Sequence, residues 1–396
     1  MEQKILNYYK DHEAEIFEDL KNFTLVEAST SDLDELLEVR KHLEKLIVDR
    51  TGIEPYVYET AGRHDVVKFA YGEGEEKVVV VGHYDTVHPI GALPYMIDGN
   101  KLKGPGVYDM KSGLVSAIWA IKAYQDLGID PGKKIICVFN GDEETGSKDS
   151  TEIIMDNVKD AKAALVPEPC TASGDLKTGR KGNMKFKVTI HGKAAHAGFM
   201  FEREHASAVL EMGHYIVTLM GLASREEDTT VNVGVAGGGT ARNVVADYAK
   251  LSVEMRFKKL SEYDRLKKKV HELVNGEPFV PGVKTVIAKE REMAPLVKTE
   301  KTLAYMKRMM TVAENLEIPF EEKDRGGLSD ANHLAMASDA VVVDGMGPHG
   351  AMDHSDKEYG CVSSVEPCVR LHVGLLEELA VKKALLQPSV EADTIY

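Results

Sequence analysis

Residues 78–85 read V-V-V-V-G-H-Y-D, from Val78 to Asp85, and this run decides the fold. Four consecutive β-branched apolar residues suit a strand buried on both faces of a parallel sheet. Gly82 ends the run, and His83 and Asp85 follow two apart, so an extended chain turns both side chains to the same side. The place just past the carboxyl end of a central strand is where open α/β sheets bind ligands. A histidine with a carboxylate two residues on makes a metal ligand with an orienting neighbour.

Working outward, residues 1–21 predict a helix with Ile5, Tyr9, Ile16 and Leu20 on one face. Ser31 opens a second helix through S-D-L-D, and Gly52 closes it. Strands are expected at Tyr56–Tyr58, Val66–Ala70, Lys133–Phe139 and Ala163–Val166. A hairpin is expected at Met96–Leu102, and a helix at Lys111–Gln125. Strands alternating with helices imply a twisted, mainly parallel sheet with helices on both faces.

From Gly182 the order changes: strand Lys185–His191, helix Ala206–Leu222, strands Thr230–Ala236 and Tyr248–Phe257, helix Leu260–Asn275, strand Lys284–Ile287. This reads as an α+β domain inserted at residues 182–291 between two parts of the first domain, 1–181 and 292–396. In the last part, helices are expected at Lys301–Glu314 and Val365–Lys383, with a strand at Ala340–Val343 and a loose tail.

The 396-residue chain has room for two domains. Its net charge of -15 argues against nucleic acid or an anionic membrane surface as partner. Cys137, Cys170, Cys361 and Cys368 form no C-x-x-C pair, which fits a reducing compartment. The first residues lack the apolar core of a signal peptide, and no run is long enough to span a bilayer. A cytoplasmic protein is expected.

Four further clusters fall in loops. G-P-G-V-Y-D-M-K-S-G (Gly104 to Gly113) carries Asp109 just before a helix, and N-G-D-E-E-T-G-S (Asn140 to Ser147) sets Asp142, Glu143 and Glu144 side by side. V-P-E-P carries Glu168, and H-S-D-K-E-Y carries His354, with His88 and His349 as competing loop histidines. Singly, Asp109 reads as a helix cap, the acidic triplet as a solvated turn, and Glu168 and His354 as loop residues. Together, the strands would deliver His83, Asp109, Glu143, Glu144 and Glu168 to one sheet edge. So many carboxylates raise each other's pKa unless a cation compensates. Imidazole and carboxylate ligands suit zinc, with cobalt or manganese as substitutes.

These motifs, in order, with G-K-A-A-H-A-G (Gly192 to Gly198) added, resemble the co-catalytic di-zinc aminoacylase/carboxypeptidase family, and within it the folate-cleaving glutamate carboxypeptidases. The resemblance implies that Asp109 bridges two zinc ions, with His83 and Glu168 completing one site and Glu144 and His354 the other. It implies that Asp85 orients His83. Glu143 would be the general base, taking a proton from a water between the ions and returning it to the leaving nitrogen. A cis peptide after Asp109 is also implied.

The inserted domain resembles the family's dimerisation domain, or lid. There His196 would reach the partner subunit's site and steady the oxyanion, assisted by Asn243. Arg291 would clamp the substrate carboxylate, although the spacing around it departs from the family pattern by about a residue. Gly326 and Gly327 would let backbone approach the substrate or form a plain turn. Between Glu168 and Gly182 the chain is a residue shorter than the family pattern. Arg180 and Lys181 there are either a replacement grip on the substrate or surface charge.

The leading expectation is a homodimeric zinc exopeptidase cutting the amide to a carboxyl-terminal amino acid, glutamate first. The alternatives are an N-acyl amino acid deacylase of the acetylornithine or succinyl-diaminopimelate type and, more remotely, a non-catalytic dimeric binding protein.

Overall fold

The computed structural model of the chain describes residues 2–27, 29–170, 173–315, 321–337 and 339–365. The helix expected at Val365–Lys383 and the tail after it lie outside the described residues, apart from Val365 itself.

The first part runs α1 (Glu2–Leu25), α2 (Leu33–Thr51), β1 (Tyr56–Tyr58), β2 (Val66–Tyr71), β3 (Lys77–His83), β4 (Met96–Asp98), β5 (Lys101–Lys103), α3 (Lys111–Leu127), β6 (Lys134–Asn140), α4 (Thr151–Val158), β7 (Ala163–Val166) and β8 (Leu176–Arg180). There follow β9 (Gly182–His191), α5 (Ala208–Met220), β10 (Thr230–Gly238), β11 (Tyr248–Phe257), α6 (Leu260–Asn275) and β12 (Lys284–Met293). The chain then continues through α7 (Glu300–Asn315), β13 (Glu322–Arg325), α8 (Asp330–Ala337), β14 (Val341–Asp344), β15 (Gly350–Ala351) and β16 (Tyr359–Cys361).

The chain divides into two compact units, one of residues 1–178, 298–324 and 329–396, the other of 179–297 and 325–328. The main sheet has the order β1-β2-β6-β3-β7-β14-β8-β13. Its centre is parallel, β6 to β3, β3 to β7 and β7 to β14, while β1, β2 and β8 join antiparallel. The valine run is β3, at the heart of this sheet. Val78 and Val80 join the large apolar cluster with α1, α2 and α3. Val79 and Val81 are as deeply buried but point the other way, by the alternation of a strand, toward the side where α4 packs. Helices therefore cover both faces. Burying each valine is worth about 1.5–3 kcal/mol, so β3 anchors the loop that follows it.

The helix faces match the periodicity: Ile5, Tyr9, Ile16 and Leu20 are all buried. The cap of α2 differs from expectation. Asp32, not Ser31, caps the helix, its carboxylate accepting from the Glu35 N–H, because the chain is still turning at Ser31. Gly52 closes α2 in the left-handed conformation. The expected hairpin is β4–β5, the edge of a small second sheet ordered β15-β16-β5-β4.

The second unit has a four-stranded antiparallel sheet, β10-β11-β9-β12, with Tyr215 and Leu219 of α5 and Leu266 of α6 in its own apolar cluster. Its last strand runs six residues beyond the expected end at Ile287 and carries Arg291. The residues K-E-R-E hide that extension, since an edge strand open to solvent needs no apolar alternation there. No helix among the described residues is long and apolar enough to cross a membrane.

Candidate active site

His83 and Asp85 emerge from β3 at 1% and 0% exposure. Nδ1 of His83 lies 3.0 Å from the Asp85 carbonyl oxygen and 3.2 Å from its Oδ1. Nε2 is thereby turned outward, 3.2 Å from Asp109 Oδ1 and 3.5 Å from Glu168 Oε1.

Asp109 ends the glycine-flanked loop before α3, and its peptide bond to Met110 is cis. It does not cap the helix; Met110 occupies that position. Its second oxygen, Oδ2, lies 3.4 Å from His354 Nε2. Lys111, fully buried, donates to the carbonyls of Phe23 (3.1 Å) and Val26 (2.7 Å) and ties this loop to the end of α1. Burial pushes its ammonium down to about 7.

Glu143 and Glu144 stand on a single 3-10 turn after β6. Both backbone N–H groups donate to Asp85, each at 3.3 Å, to Oδ1 and Oδ2 respectively. His354 sits in the connection between β15 and β16, with Nε2 3.1 Å from Glu144 Oε2. Glu168 follows β7, and its carbonyl accepts from Gly347 at 2.7 Å.

Two groups of side chains here could each hold a cation: His83 with Glu143 and Glu168, and His83 with Asp109 and Glu144. The ion pairs give a different second group, His354 with Asp109 and Glu144. Asp109 thus presents one oxygen to each histidine, Oδ1 to His83 and Oδ2 to His354. Two imidazoles and four carboxylates are a donor set suited to zinc.

The charges are strongly perturbed. Burial alone would push His83 down, but Asp109, Asp85 and Glu168 outweigh it and hold the imidazole well above its usual range. Asp109 and Glu144 hold His354 up at about 11. Burial raises Glu143 well above the ordinary carboxylate range; His83 opposes this, and Glu168, Asp330 and Glu144 add to it. Burial, with Asp109, pushes Glu144 up to about 7. For Asp109 burial acts upward, yet His354 and His83 hold it low.

Several contributors carry no sequence signal of their own. The Thr30 hydroxyl donates to Asp85 Oδ2 at 2.6 Å, and nothing in V-E-A-S-T-S marks it. Asp330, 2% exposed, accepts from Asn140 and Ser147, and burial pushes it up to about 6. It lies in R-G-G-L-S-D-A-N, three residues after Gly327.

The remaining candidates lie in the second unit. His196 and Asn243 are both exposed and adjacent: the Ala197 N–H donates to the Asn243 carbonyl at 2.9 Å, and His196 bridges to Val244. Arg291 lines a cleft of about 240 Å³ between α6 and the sheet, its Nε 3.1 Å from Met293 Sδ. Gly326 and Gly327 are exposed and neither adopts the left-handed conformation. Arg180 is buried and donates to the Leu328 carbonyl at 3.0 Å, whereas Lys181 pairs with Asp228 at 2.7 Å.

The chain is 26% identical over 388 residues to carboxypeptidase G2 of Pseudomonas sp. (strain RS-16), covering 94% of this chain and 91% of that protein. It is 27% identical over 361 residues to a succinyl-diaminopimelate desuccinylase of Polaromonas sp., covering 84% and 82%. In fold it is similar to the crystal structure of aminopeptidase PepT from Bacillus cereus, with a TM-score of 0.75 at 20% identity over 96% of this chain and 99% of that one. The profile described as Peptidase family M20/M25/M40 matches residues 79–378, from inside the valine strand to well past His354, and the chain belongs to that family of metal-dependent hydrolases.

Proposed function

We propose that the protein is a two-zinc exopeptidase that hydrolyses the amide joining an acyl or peptidyl group to a carboxyl-terminal amino acid. The observation that carries this reading is Asp109, whose two oxygens face His83 and His354 at 3.2 and 3.4 Å. His83, Asp109 and Glu168 would hold one ion and Asp109, Glu144 and His354 the other, and cobalt or manganese would substitute. Bound there, divalent ions lower the pKa of water and polarise the scissile carbonyl. Asp85 fixes the His83 tautomer and, through two backbone N–H groups, the turn that carries the base. Glu143 takes a proton from the attacking water and returns it to the leaving nitrogen; its buried, acid-rich setting raises its proton affinity for that task.

Glutamate is the first substrate to test, on the similarity to carboxypeptidase G2. The desuccinylase similarity supports a second reading, an N-acyl amino acid deacylase with the same machinery and a different pocket. A pool of dipeptides, folyl-glutamates and N-acyl amino acids, incubated with the zinc-loaded protein and with Glu143→Ala, separates them by mass spectrometry of the released amino acid. Glutamate from peptidyl or folyl substrates establishes the first reading; release only from acyl substrates establishes the second.

We further infer a homodimer formed through the second unit. Leu210, Val217 and Met220 of α5 and Val235 of β10 expose between 43% and 75% of their surface, and a second copy would cover them. His196 and Asn243 would then serve the partner subunit's site.

A further inference from the structure

We propose that His88 and Glu358 form a positioning pair that braces the His354 loop and sets the affinity of the second metal position, that of Asp109, Glu144 and His354. The inference rests on the two-ion reading above.

The ligands are unequally supported. His83 is 1% exposed and held by Asp85, whereas the His354 side chain is 53% exposed. It stands in the short loop between β15 and β16, whose backbone is left-handed at both Met352 (φ 67°) and His354 (φ 61°). Residues other than glycine keep that conformation only where their surroundings impose it. Within the loop, Ser355 Oγ donates to the Met352 carbonyl (2.7 Å) and the Glu358 N–H to the Ser355 carbonyl (3.1 Å). Those bonds shape the turn but do not anchor it.

Glu358 does. Its carboxylate is 1% exposed, and Oε2 lies 2.8 Å from Nε2 of His88, itself 6% exposed. The pair joins positions 270 residues apart in the chain. His88 follows Asp85 by three residues, on the segment leaving β3, so the contact links the loop bearing His354 to the one bearing His83. The other oxygen, Oε1, is buried with no hydrogen-bond partner, so the carboxylate is held by the His88 ring and, more weakly, by the Asp109 backbone N–H. The His88 ring also feels the charges of Glu144 and His354. The pair therefore stands beside the second position, next to Asp109, Glu144 and His354. The ion pair of His88 and Glu358 is with each other, whereas His354 pairs with Asp109 and Glu144, so the pair acts through His354 and the loop. Partners of this kind around a metal site typically affect its affinity by about 10- to 100-fold.

Titrating the metal-free protein with Co2+ tests this, with visible absorption and bound cobalt per chain as readouts. The wild type should take up two equivalents. Glu358→Gln, and separately His88→Gln, should leave the first unchanged and weaken the second by about tenfold or more. The double variant should be no worse than the poorer single one, because both substitutions remove the same contact. Thermal unfolding of the metal-free variants reads the cost of breaking a buried contact, and a loss of affinity confined to the second equivalent is what a merely structural role would not give. Should one variant fail to fold, the other carries the same expectation. A second equivalent bound as tightly as in the wild type, or both weakened alike, overturns the pair's role. A wild type that takes up one equivalent overturns the two-ion reading, and this inference with it.

Discussion

Asp85 Oδ1 accepts the backbone N–H of Glu143 at 3.3 Å, which ties the proposed base to the strand end that carries His83. One buried carboxylate thus orients an imidazole and fixes the turn of Glu143 and Glu144. Removing the Glu143 carboxyl by Glu143→Ala should abolish measurable turnover, a loss of about 10²- to 10⁴-fold or more, while zinc stays bound. Turnover near the wild-type rate would remove Glu143 from the mechanism.

The same hub predicts an effect at Thr30, whose hydroxyl donates to Asp85 Oδ2 at 2.6 Å. Thr30→Val keeps the shape and deletes the donor, leaving a buried charge short of one bond at a cost of about 1–3 kcal/mol. Zinc affinity or kcat should fall about tenfold or more, as for other groups that hold a ligand's partner. A competition assay with a chromogenic chelator reads the affinity directly, and an unchanged value would assign Thr30 to the scaffold alone.

Metal binding should depend on pH in a defined direction. Without metal, His354 is held up at about 11 by Asp109 and Glu144, and burial pushes Glu144 up to about 7. At neutral pH His354 therefore carries a proton and Glu144 is partly protonated. A ligand has to be deprotonated, so binding releases protons and affinity rises with pH between about 6 and 8. Calorimetry in two buffers of different ionisation enthalpy measures the release. A binding enthalpy independent of buffer would contradict the assignment of His354.

A steric prediction follows from Gly113 in α3. A Cβ there would lie 2.0 Å from the Pro167 carbonyl oxygen, just before Glu168. Gly347 closes on the same segment, its Cβ position being 2.7 Å from that oxygen. Gly113→Ala must therefore displace the Glu168 loop. Overpacking of this kind costs about 1–3 kcal/mol, and zinc affinity should fall with it. Thermal unfolding with and without zinc separates the two effects; a variant that matches the wild type in both would contradict the close approach.

If the sites are shared across a dimer, His196→Ala should be inactive, yet mixed dimers with an Asp109→Ala chain should regain part of the activity. Activity after mixing and refolding the two inactive variants measures it, and no recovery would argue against sharing.

The parts of this protein legible in its sequence are those with a physical pattern of their own. The valine run had to be a buried strand, and the acids after β6 and β7 fall at strand ends because apolar runs mark those strands. Strands β8 and β13 are not legible, since L-K-T-G-R and E-K-D-R are short and carry almost no apolar signal. Thr30, Asp330 and the His88–Glu358 pair were unreadable for another reason. Their contacts join residues far apart in the chain, and a single sequence holds no record of such pairs. The sequence leaves Arg180 as a grip on substrate or as surface charge; the second does not hold, since Arg180 is buried and bonded to a carbonyl of its own unit.

Anomalous diffraction at the zinc edge shows whether Asp109 bridges two ions. Two peaks are expected on either side of the Asp109 carboxylate, one against His83 and Glu168, the other against Glu144 and His354. A single peak shared by His83, Glu143 and Glu168, with none at His354, would contradict that bridge.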